Sequence, residues 1–394
     1  MRFFRDVNLS AVTAGFVAVL VGFTSSVAIV FQAALVFGAT PAQIASWMWA
    51  LGLGMGLCSL VPSLVWRQPV MVAWSTPGAA VLATAGAAGG YTMHDAVGAF
   101  IVCAALITLF GVTGWFERVM RRIPMAIASA LLAGVLTRFG LQAFVAAQTA
   151  LGLVLLMLAS YLLGRRFAPR YAVVLTLLAG VVFVVARGEL LPTDIVAGIA
   201  VPVFVLPHFS WAAAVSLAVP LFIVTMASQN VAGIAVLRSF GYTPPLRPLL
   251  VATGAATVAG APFGAHGINL AAITAALVAG PDAHPLPERR WVAGVVSGGG
   301  YLLLGLLAGV ATALVASAPP LVIATVAGLA LFGALTGALA GAMADATLRD
   351  AAVITLVVSA SGISAFGISA PFWGLVAGIV FHAATREWRS VSPA

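Results

Sequence analysis

The chain has 394 residues, of which 62% are hydrophobic and 7% are charged, whereas a soluble domain carries about 25% charged residues. This composition excludes an ordinary water-soluble protein. The basic residues behind the formal net charge of +8 are all arginines. They stand in small groups between apolar runs, an arrangement that is typical of membrane topology signals and argues against a nucleic-acid partner.

Apolar runs of membrane-spanning length recur along almost the whole chain. Each run must form a helix in a bilayer, because lipid offers the backbone no hydrogen-bond partners. The first run is longer than the apolar core of a signal peptide, which favours a permanent helix. Divided at prolines, glycines and charged clusters, the runs predict fourteen spans at about 10–36, 44–65, 69–84, 96–116, 123–140, 147–164, 171–187, 211–237, 247–261, 267–280, 291–315, 320–341, 350–361 and 367–384.

The arginines orient these spans. With a cytoplasmic N-terminus and fourteen crossings, all but two of the 18 basic residues lie on the cytoplasmic side, as the positive-inside rule requires. The two exceptions are Arg138 and Arg187. The sequence therefore predicts a multi-pass protein of the bacterial inner membrane with both termini in the cytoplasm.

The two halves of the chain carry matching landmarks in the same order. The two members of each pair are separated by a nearly constant number of residues. The matching pairs are Phe37 to Pro41 with Phe240 to Pro244, Pro69 with Pro262, Pro124 to Ser129 with Pro320 to Thr325, and Leu177 to Phe183 with Leu375 to Phe381. We interpret them as two repeats, about 1–190 and 205–386. Because seven is odd, the second repeat enters from the opposite side. The predicted fold is an all-α polytopic membrane protein built from two inverted seven-helix repeats.

Spans 3 and 10 occupy equivalent places in the two repeats, and both are short and interrupted by glycine and proline. In inverted-repeat transporters such broken helices lie near the bilayer midplane and direct their N-termini at the ligand. Ser75 and Thr76 suit the cap of a half-helix that has Pro77 in its first turn. Because helix N-termini carry unpaired N–H groups and a positive dipole end, the sequence predicts an anion site.

Polar residues of spans 1 and 8 complete the predicted site, and none of these four spans contains a carboxylate that would repel an anion. His266 is also the candidate proton carrier, because an ordinary imidazole titrates near neutral pH. Structural roles remain open for each candidate, namely hydrogen bonding between helices, helix capping or satisfaction of backbone groups. The candidate substrate-binding residues are Ser25, Gln32, Ser75, Thr76, Gly78, Gln229, Asn230, His266 and Asn269.

Four segments carry a family resemblance that extends over essentially the full length, namely Phe4-Arg5-Asp6, Val27 to Gln32, Pro69 to Gly78 and Pro262 to Leu270. They resemble the benzoate/proton symporter family, often called the BenE family. That family looks like a branch of the seven-plus-seven inverted-repeat transporters, which also include nucleobase and sulfate permeases. The resemblance implies proton-coupled uptake of benzoate or a similar small aromatic carboxylate and, by analogy with related folds, a homodimer.

The resemblance also implies two subdomains with the substrate between spans 3 and 10. The core consists of spans 1–4 and 8–11, about 10–116 and 211–315, and the gate consists of spans 5–7 and 12–14, about 123–187 and 320–384. Nucleobase carriers use carboxylates on spans 8 and 10, where this chain has amides and a histidine. That difference favours a carboxylate substrate.

Other functions remain open at this point. A carrier for another organic or inorganic anion would use the same fold. A channel is less favoured, because pore-lining rings of charge are missing. An enzyme is not expected, since the sequence has neither a complete nucleophile elbow nor a phosphate-binding loop. Cys58 and Cys103 fall in different spans without metal-ligand spacing, so we expect no cofactor or metal.

Overall fold

The protein is described by a computed structural model that is mostly helical. The structure describes residues 6–24, 26–116, 124–189, 198–271, 273–316, 318–365 and 368–391. The elements of its first half are α1 (Leu9–Thr24), α2 (Val27–Leu35), α3 (Pro41–Trp66), β1 (Val72–Trp74), α4 (Thr76–Gly89), α5 (Met93–Thr113), α6 (Met125–Val145), α7 (Ala147–Phe167) and α8 (Ala172–Arg187).

The second half begins with a long helix that contains two stretches of wider, π-type turns, Ala214–Ala218 and Thr225–Asn230. Its elements are α9 (Trp211–Arg238), α10 (Leu246–Gly260), β2 (Ile268–Leu270), α11 (Ile273–Ala279), α12 (Trp291–Leu306), α13 (Ala308–Ala316), α14 (Pro320–Ala330), α15 (Phe332–Met343), α16 (Arg349–Ser361), β3 (Ser364–Ala365), β4 (Ile368–Ser369) and α17 (Ala370–Val391).

Within the described residues, eight helices are long and apolar enough to cross a membrane. Two shorter apolar helices, Ala172–Arg187 and Ala370–Thr385, fall where spans 7 and 14 are predicted. The third and tenth predicted spans each consist of a short strand followed by a half-helix, namely β1 with α4 and β2 with α11. These two spans are the broken helices that the sequence predicts.

The strands β1 and β2 pair antiparallel in the interior of the protein. Their register places Val72 opposite Leu270 and Trp74 opposite Ile268. Two further backbone bonds extend the pair, because the Ser75 N–H donates to the Gly267 carbonyl and the Ala271 N–H donates to the Met71 carbonyl, each at 2.9 Å. A strand pair at membrane depth is stable only where protein, and not lipid, surrounds it.

Side chains from three neighbouring helices satisfy the outer edges of this strand pair. Ser59 of α3 accepts from the Val72 N–H at 3.0 Å, Thr257 of α10 from the Ile268 N–H at 3.0 Å, and Asn230 of α9 from the Leu270 N–H at 3.0 Å. All three of these side chains are fully or almost fully buried. Because an unpaired N–H in an apolar interior costs several kcal/mol, these three residues fix the strands in place.

Glycines allow the helices around the strand pair to approach closely. A Cβ added to Gly52 of α3 would lie 2.5 Å from the Cα of Gly305 in α12, and one added to Gly298 would lie 2.6 Å from the Leu60 Cβ. Close backbone approach of this kind is how helices associate in membranes, where there is no hydrophobic driving force between them. The α3 and α12 helices therefore form a rigid support for β1 and β2.

We predict that Gly264→Ala destabilises the fold, because Gly264 has φ +101 and an added Cβ would overlap the indole of Trp47. The combination of a left-handed backbone and a clash with a fully buried side chain costs about 1–3 kcal/mol. The measurement is the unfolding temperature of the detergent-solubilised protein. Gly299→Ala is the matched control, since its Cβ meets nothing within 4 Å. Equal unfolding temperatures for the two variants would contradict the prediction.

Candidate functional site

A cavity of about 450 Å³ lies between the two broken helices and the helices α6, α9 and α15. We call it the central cavity. None of the described side chains in its lining carries a charge. Its polar lining consists of Ser26, Thr76, Ser129, Ser228, Gln229 and Thr274. The rest of the wall is apolar and mostly small, and it includes Trp74, Pro77, Leu132, Gly333, Ala334 and Gly337.

The half-helix α4 begins at the wall of the central cavity. Ser75 is its N-cap, and the Ser75 hydroxyl accepts from the Gly78 N–H at 3.0 Å. The Ala79 N–H donates to the Ser75 carbonyl at 2.7 Å. Two of the first amides are therefore already bonded within the protein. What α4 directs at the cavity is its dipole and the side chains of Thr76 and Pro77.

Thr274 is the counterpart of Thr76 at the second broken helix. The two threonines are separated by a distance in sequence that matches the repeat landmarks, and each stands in the first turn of its half-helix. Thr274 is buried, and its hydroxyl has no hydrogen-bond partner in the described part of the protein. A buried hydroxyl that lacks a partner and lines a cavity is available to a ligand. The two threonines thus present hydroxyl groups from both repeats.

The polar side chains of α9 that lie in the π-type turn Thr225–Asn230 are divided between the central cavity and the strand β2. Ser228 and Gln229 line it. Asn230 lies on the other side, where it accepts from the Leu270 N–H and donates to the Met226 sulfur at 3.2 Å. A π-type turn adds a residue to the helical turn and so rotates the side chains that follow it. Gln229 is therefore placed to contact a ligand, while Asn230 holds a strand.

An aromatic side chain forms part of the cavity wall. The Trp74 indole N–H donates to the Ser26 hydroxyl at 2.7 Å, and its ring lies 5.6 Å from the ring of Phe23. Because the indole nitrogen is bonded within the protein, the ring is held in one orientation. The part of the wall formed by α15 is small, since Cβ atoms added to Gly333 or Gly337 would meet nothing within 4 Å. The cavity therefore has a flat aromatic side and an open side.

His266 does not line the central cavity. Its ring is fully buried, with the Trp47 ring centroid at 5.9 Å and the Phe100 ring centroid at 6.2 Å. Its Nε2 lies 3.3 Å from the Ser75 carbonyl oxygen, and its Nδ1 has no hydrogen-bond partner among the described residues. The imidazole therefore contacts the backbone of Ser75, which lies between two residues that do line the cavity, Trp74 and Thr76. Ser75 separates the His266 ring from the cavity.

The other predicted site residues are divided between several places. Thr76 and Gln229 line the central cavity. Gly78 lies behind it against Ser75 and Leu221, and Asn269 is buried in β2. Gln32 lines a separate cavity together with Arg138, and Ser25 falls outside the described residues.

Sequence reasoning missed several residues that line the cavity, namely Ser129, Thr274 and the two α15 glycines Gly333 and Gly337. Thr274 could have been found by applying the repeat separation to Thr76. The glycines carry no signal in the sequence that distinguishes them from the many packing glycines of this chain. In the described parts of the chain, no group of three histidine, cysteine or acidic residues could hold a metal ion.

The architecture matches solved transporter structures. The transmembrane domain of a cyanobacterium bicarbonate transporter, BicA, superposes with a TM-score of 0.61 at 13% identity, over 95% of this chain and 98% of that one. The structure of SLC26A9 superposes with a TM-score of 0.65 at 14% identity, over 96% of this chain and 65% of that one. These neighbours confirm the predicted fold of two inverted seven-helix repeats.

The sequence has relatives over almost its whole length. The inner membrane protein YdcO of Escherichia coli (strain K12) is 47% identical over 369 residues, which are 94% of each chain. The benzoate membrane transport protein of Acinetobacter baylyi is 38% identical over 378 residues, which are 96% of this chain and 95% of the relative. The family model described as "Benzoate membrane transport protein" matches residues 5–384. The chain is therefore a multi-pass membrane transporter that belongs to the benzoate membrane transport protein family.

Proposed function

We propose that the protein imports benzoate, or a similar small aromatic carboxylate, across the bacterial inner membrane in symport with protons. The observation that carries the proposal is the central cavity, which combines an aromatic wall with neutral hydroxyl and amide groups and has no acidic side chain in its described lining. Its volume of about 450 Å³ falls in the range of small-molecule pockets. The names of the relatives support the same substrate class.

The cavity suggests how such a substrate is oriented. The carboxylate is placed by Thr76, Thr274 and Gln229, whose hydroxyl and amide groups donate hydrogen bonds, and by the positive end of α4. Hydrogen bonds to a charged group are stronger than those between neutral groups. The aromatic ring then lies against Trp74, and the glycines of α15 leave open space in the same cavity.

We propose that the substrate crosses by movement of the core, about 10–116 and 211–315, against the gate, about 123–187 and 320–384. The central cavity supports this division, because Trp74 and Gln229 belong to the core while Ser129 and Gly337 belong to the gate. The contact across the cavity consists largely of small residues, which slide more easily than interlocked large side chains. Alternating access in inverted-repeat transporters uses such rigid-body movement.

For topology, we propose that both termini lie in the cytoplasm, as the distribution of arginines indicates. We further propose a homodimer that forms through gate helices. The exposed leucines of α7, Leu151, Leu155 and Leu162, support this surface because they continue along one side of the helix. Lipid contact would use the same apolar side chains, so crosslinking in the membrane decides between the two.

Proton coupling is assigned to His266 in this proposal. The imidazole is joined through Ser75 to the start of α4, so a change in its protonation alters the backbone that carries Thr76. The hydrogen bond from Nε2 to a carbonyl fixes which nitrogen carries the proton in the neutral ring. Nδ1, which has no partner in the described part of the protein, is the nitrogen that would accept the second proton.

We predict that purified protein in proteoliposomes takes up labelled benzoate, and that an inward proton gradient drives accumulation which a protonophore abolishes. Excess toluate competes because it presents the same carboxylate and ring, whereas uracil and sulfate do not. The measurement is the initial rate and the plateau of uptake, with empty liposomes as the control for passive diffusion of benzoic acid. Indifference to benzoate together with strong competition by uracil or sulfate would assign the protein to another substrate.

We predict that Gly337→Val narrows the open side of the central cavity and lowers uptake of para-toluate about tenfold more than uptake of benzoate. The added side chain occupies space into which an extra methyl group on the ring would extend. Initial rates of uptake of labelled para-toluate and of labelled benzoate into proteoliposomes measure this ratio. Gly299→Val is the matched control, because its Cβ also meets open space but lies in α12, away from the cavity. An equal loss of uptake for both substrates would show that Gly337 does not determine which substrate is selected.

We predict that His266→Gln abolishes accumulation driven by a proton gradient but retains exchange of labelled for unlabelled benzoate. Glutamine can still donate to the Ser75 carbonyl but cannot titrate, so the binding site survives while the coupling is lost. His266→Ala, which removes the hydrogen bond as well, is expected to impair exchange too. Unchanged gradient-driven accumulation in both variants would exclude His266 from coupling, and equal loss of exchange in both would indicate a structural role alone.

A further inference from the structure

A second polar cavity lies on the same seam between core and gate. It has a volume of about 220 Å³, and we call it the outer cavity. Its polar lining consists of Gln32 of α2, Thr84 of α4, and Arg138 and Gln142 of α6. Small and aliphatic side chains complete it, namely Leu35, Val36, Ala83 and Ala87.

The outer cavity follows the central cavity along the same helices. On α4 the lining moves from Thr76 to Thr84, and on α6 it moves from Ser129 to Arg138. At 1.5 Å per helical residue, these steps correspond to about 12–14 Å. In the topology proposed above, both helices run toward the outer face. The outer cavity therefore lies on the external side of the central cavity, where a substrate that enters the cell would arrive first.

Arg138 is the feature that distinguishes the outer cavity. The Nη1 atom of its guanidinium is buried and has no hydrogen-bond partner in the part of the chain that the structure describes. No acidic side chain lines this cavity among the described residues. A cation within a membrane span is costly, and where one is found it usually serves a substrate or ion pathway. An unpaired guanidinium in a polar cavity indicates that its partner is a mobile anion.

The surroundings of Arg138 hold its side chain in position without neutralising it. The guanidinium lies against Gly362, the residue that caps the C-terminus of α16, so that a Cβ added to Gly362 would be 2.8 Å from Nη1. The negative end of a helix dipole supports a cation there. The end of α16 contributes only a partial negative charge, which does not neutralise the full positive charge of the Arg138 guanidinium. The planar group still presents donors, and their geometry suits the two oxygens of a carboxylate.

We propose that the outer cavity is an access site at which the substrate carboxylate binds Arg138, between the amides of Gln32 and Gln142, before it moves to the central cavity. This inference rests on the proposed transport of an aromatic carboxylate. The aliphatic side chains of Leu35 and Val36 cover the ring while the carboxylate faces Arg138. The central cavity has no cation in its described lining, so Arg138 is the group that attracts the anion from outside.

The first test compares Arg138→Gln and Arg138→Lys with the wild type in right-side-out and inverted membrane vesicles. Loss of a charged hydrogen-bond partner predicts a rise of about tenfold or more in the KM for external benzoate in Arg138→Gln, and a smaller rise in Arg138→Lys. In inverted vesicles, where the substrate reaches the central cavity from the other side, KM stays near the wild-type value. An unchanged external KM, or an equal rise from both sides, overturns the access site.

The second test measures occupancy of the outer cavity directly. Gln142→Cys is introduced into a Cys58→Ala/Cys103→Ala background, which removes the two buried native thiols. The membrane-impermeant anionic reagent 2-sulfonatoethyl methanethiosulfonate is added to intact cells, and benzoate is expected to slow labelling of Gln142→Cys. Ala42→Cys is the matched control, because Ala42 is exposed at the start of α3 outside the cavity, and benzoate should leave its labelling unchanged.

The two tests separate this inference from the proposed function. Uptake of benzoate by the wild type without protection of Gln142→Cys contradicts the access site and leaves the proposed function supported. Protection without any benzoate uptake supports the carboxylate site and contradicts the proposed function. Protection of Gln142→Cys that persists in Arg138→Gln shows that the arginine does not hold the carboxylate, and it overturns the inference.

Discussion

The structure depends on satisfying the backbone of β1 and β2 in the middle of a membrane. Lipid cannot pair with an extended strand, so the strands pair with each other and take their remaining bonds from Ser59, Thr257 and Asn230. This arrangement fixes where α4 and α11 begin. Because both half-helices start next to the same strand pair, their first turns lie at one cavity. The position of the central cavity is thus a consequence of a hydrogen-bond requirement.

This constraint divides the buried polar residues into two groups. Asn230 and Ser75 are occupied by the backbone of the broken helices, and His266 contacts that backbone through the Ser75 carbonyl. Thr274 and Gln229 face the central cavity, and the Thr274 hydroxyl is left without a partner in the described structure. The residues that hold the backbone thereby fix the position of the residues that face the cavity. Supporting residues around other binding sites position the contact residues in the same way.

The sequence allowed the fold to be predicted, because hydropathy, arginine positions and the repeat landmarks each depend on membrane physics that acts locally. The broken helices at Pro69 to Gly78 and Pro262 to Asn269 followed from their glycines and prolines. Which side chains face the ligand did not follow. Gln229 and Asn230 lie in a π-type stretch of α9 that hydropathy does not reveal, and pairing with β2 sets the orientation of Trp74. Such details depend on tertiary contacts that no local pattern encodes.

The charge along the proposed pathway changes from cationic to neutral. The outer cavity has the guanidinium of Arg138, whereas the described lining of the central cavity has only hydroxyls, an amide and a helix dipole. A full positive charge at the central cavity would hold a carboxylate more tightly but would also have to cross the membrane with the empty carrier, at a large cost in free energy. Neutral donors avoid this cost, because the empty core then moves without a buried charge. In the proposed mechanism, attraction of the anion is thereby separated from its translocation, because Arg138 lies on α6, which we assign to the gate and not to the moving core.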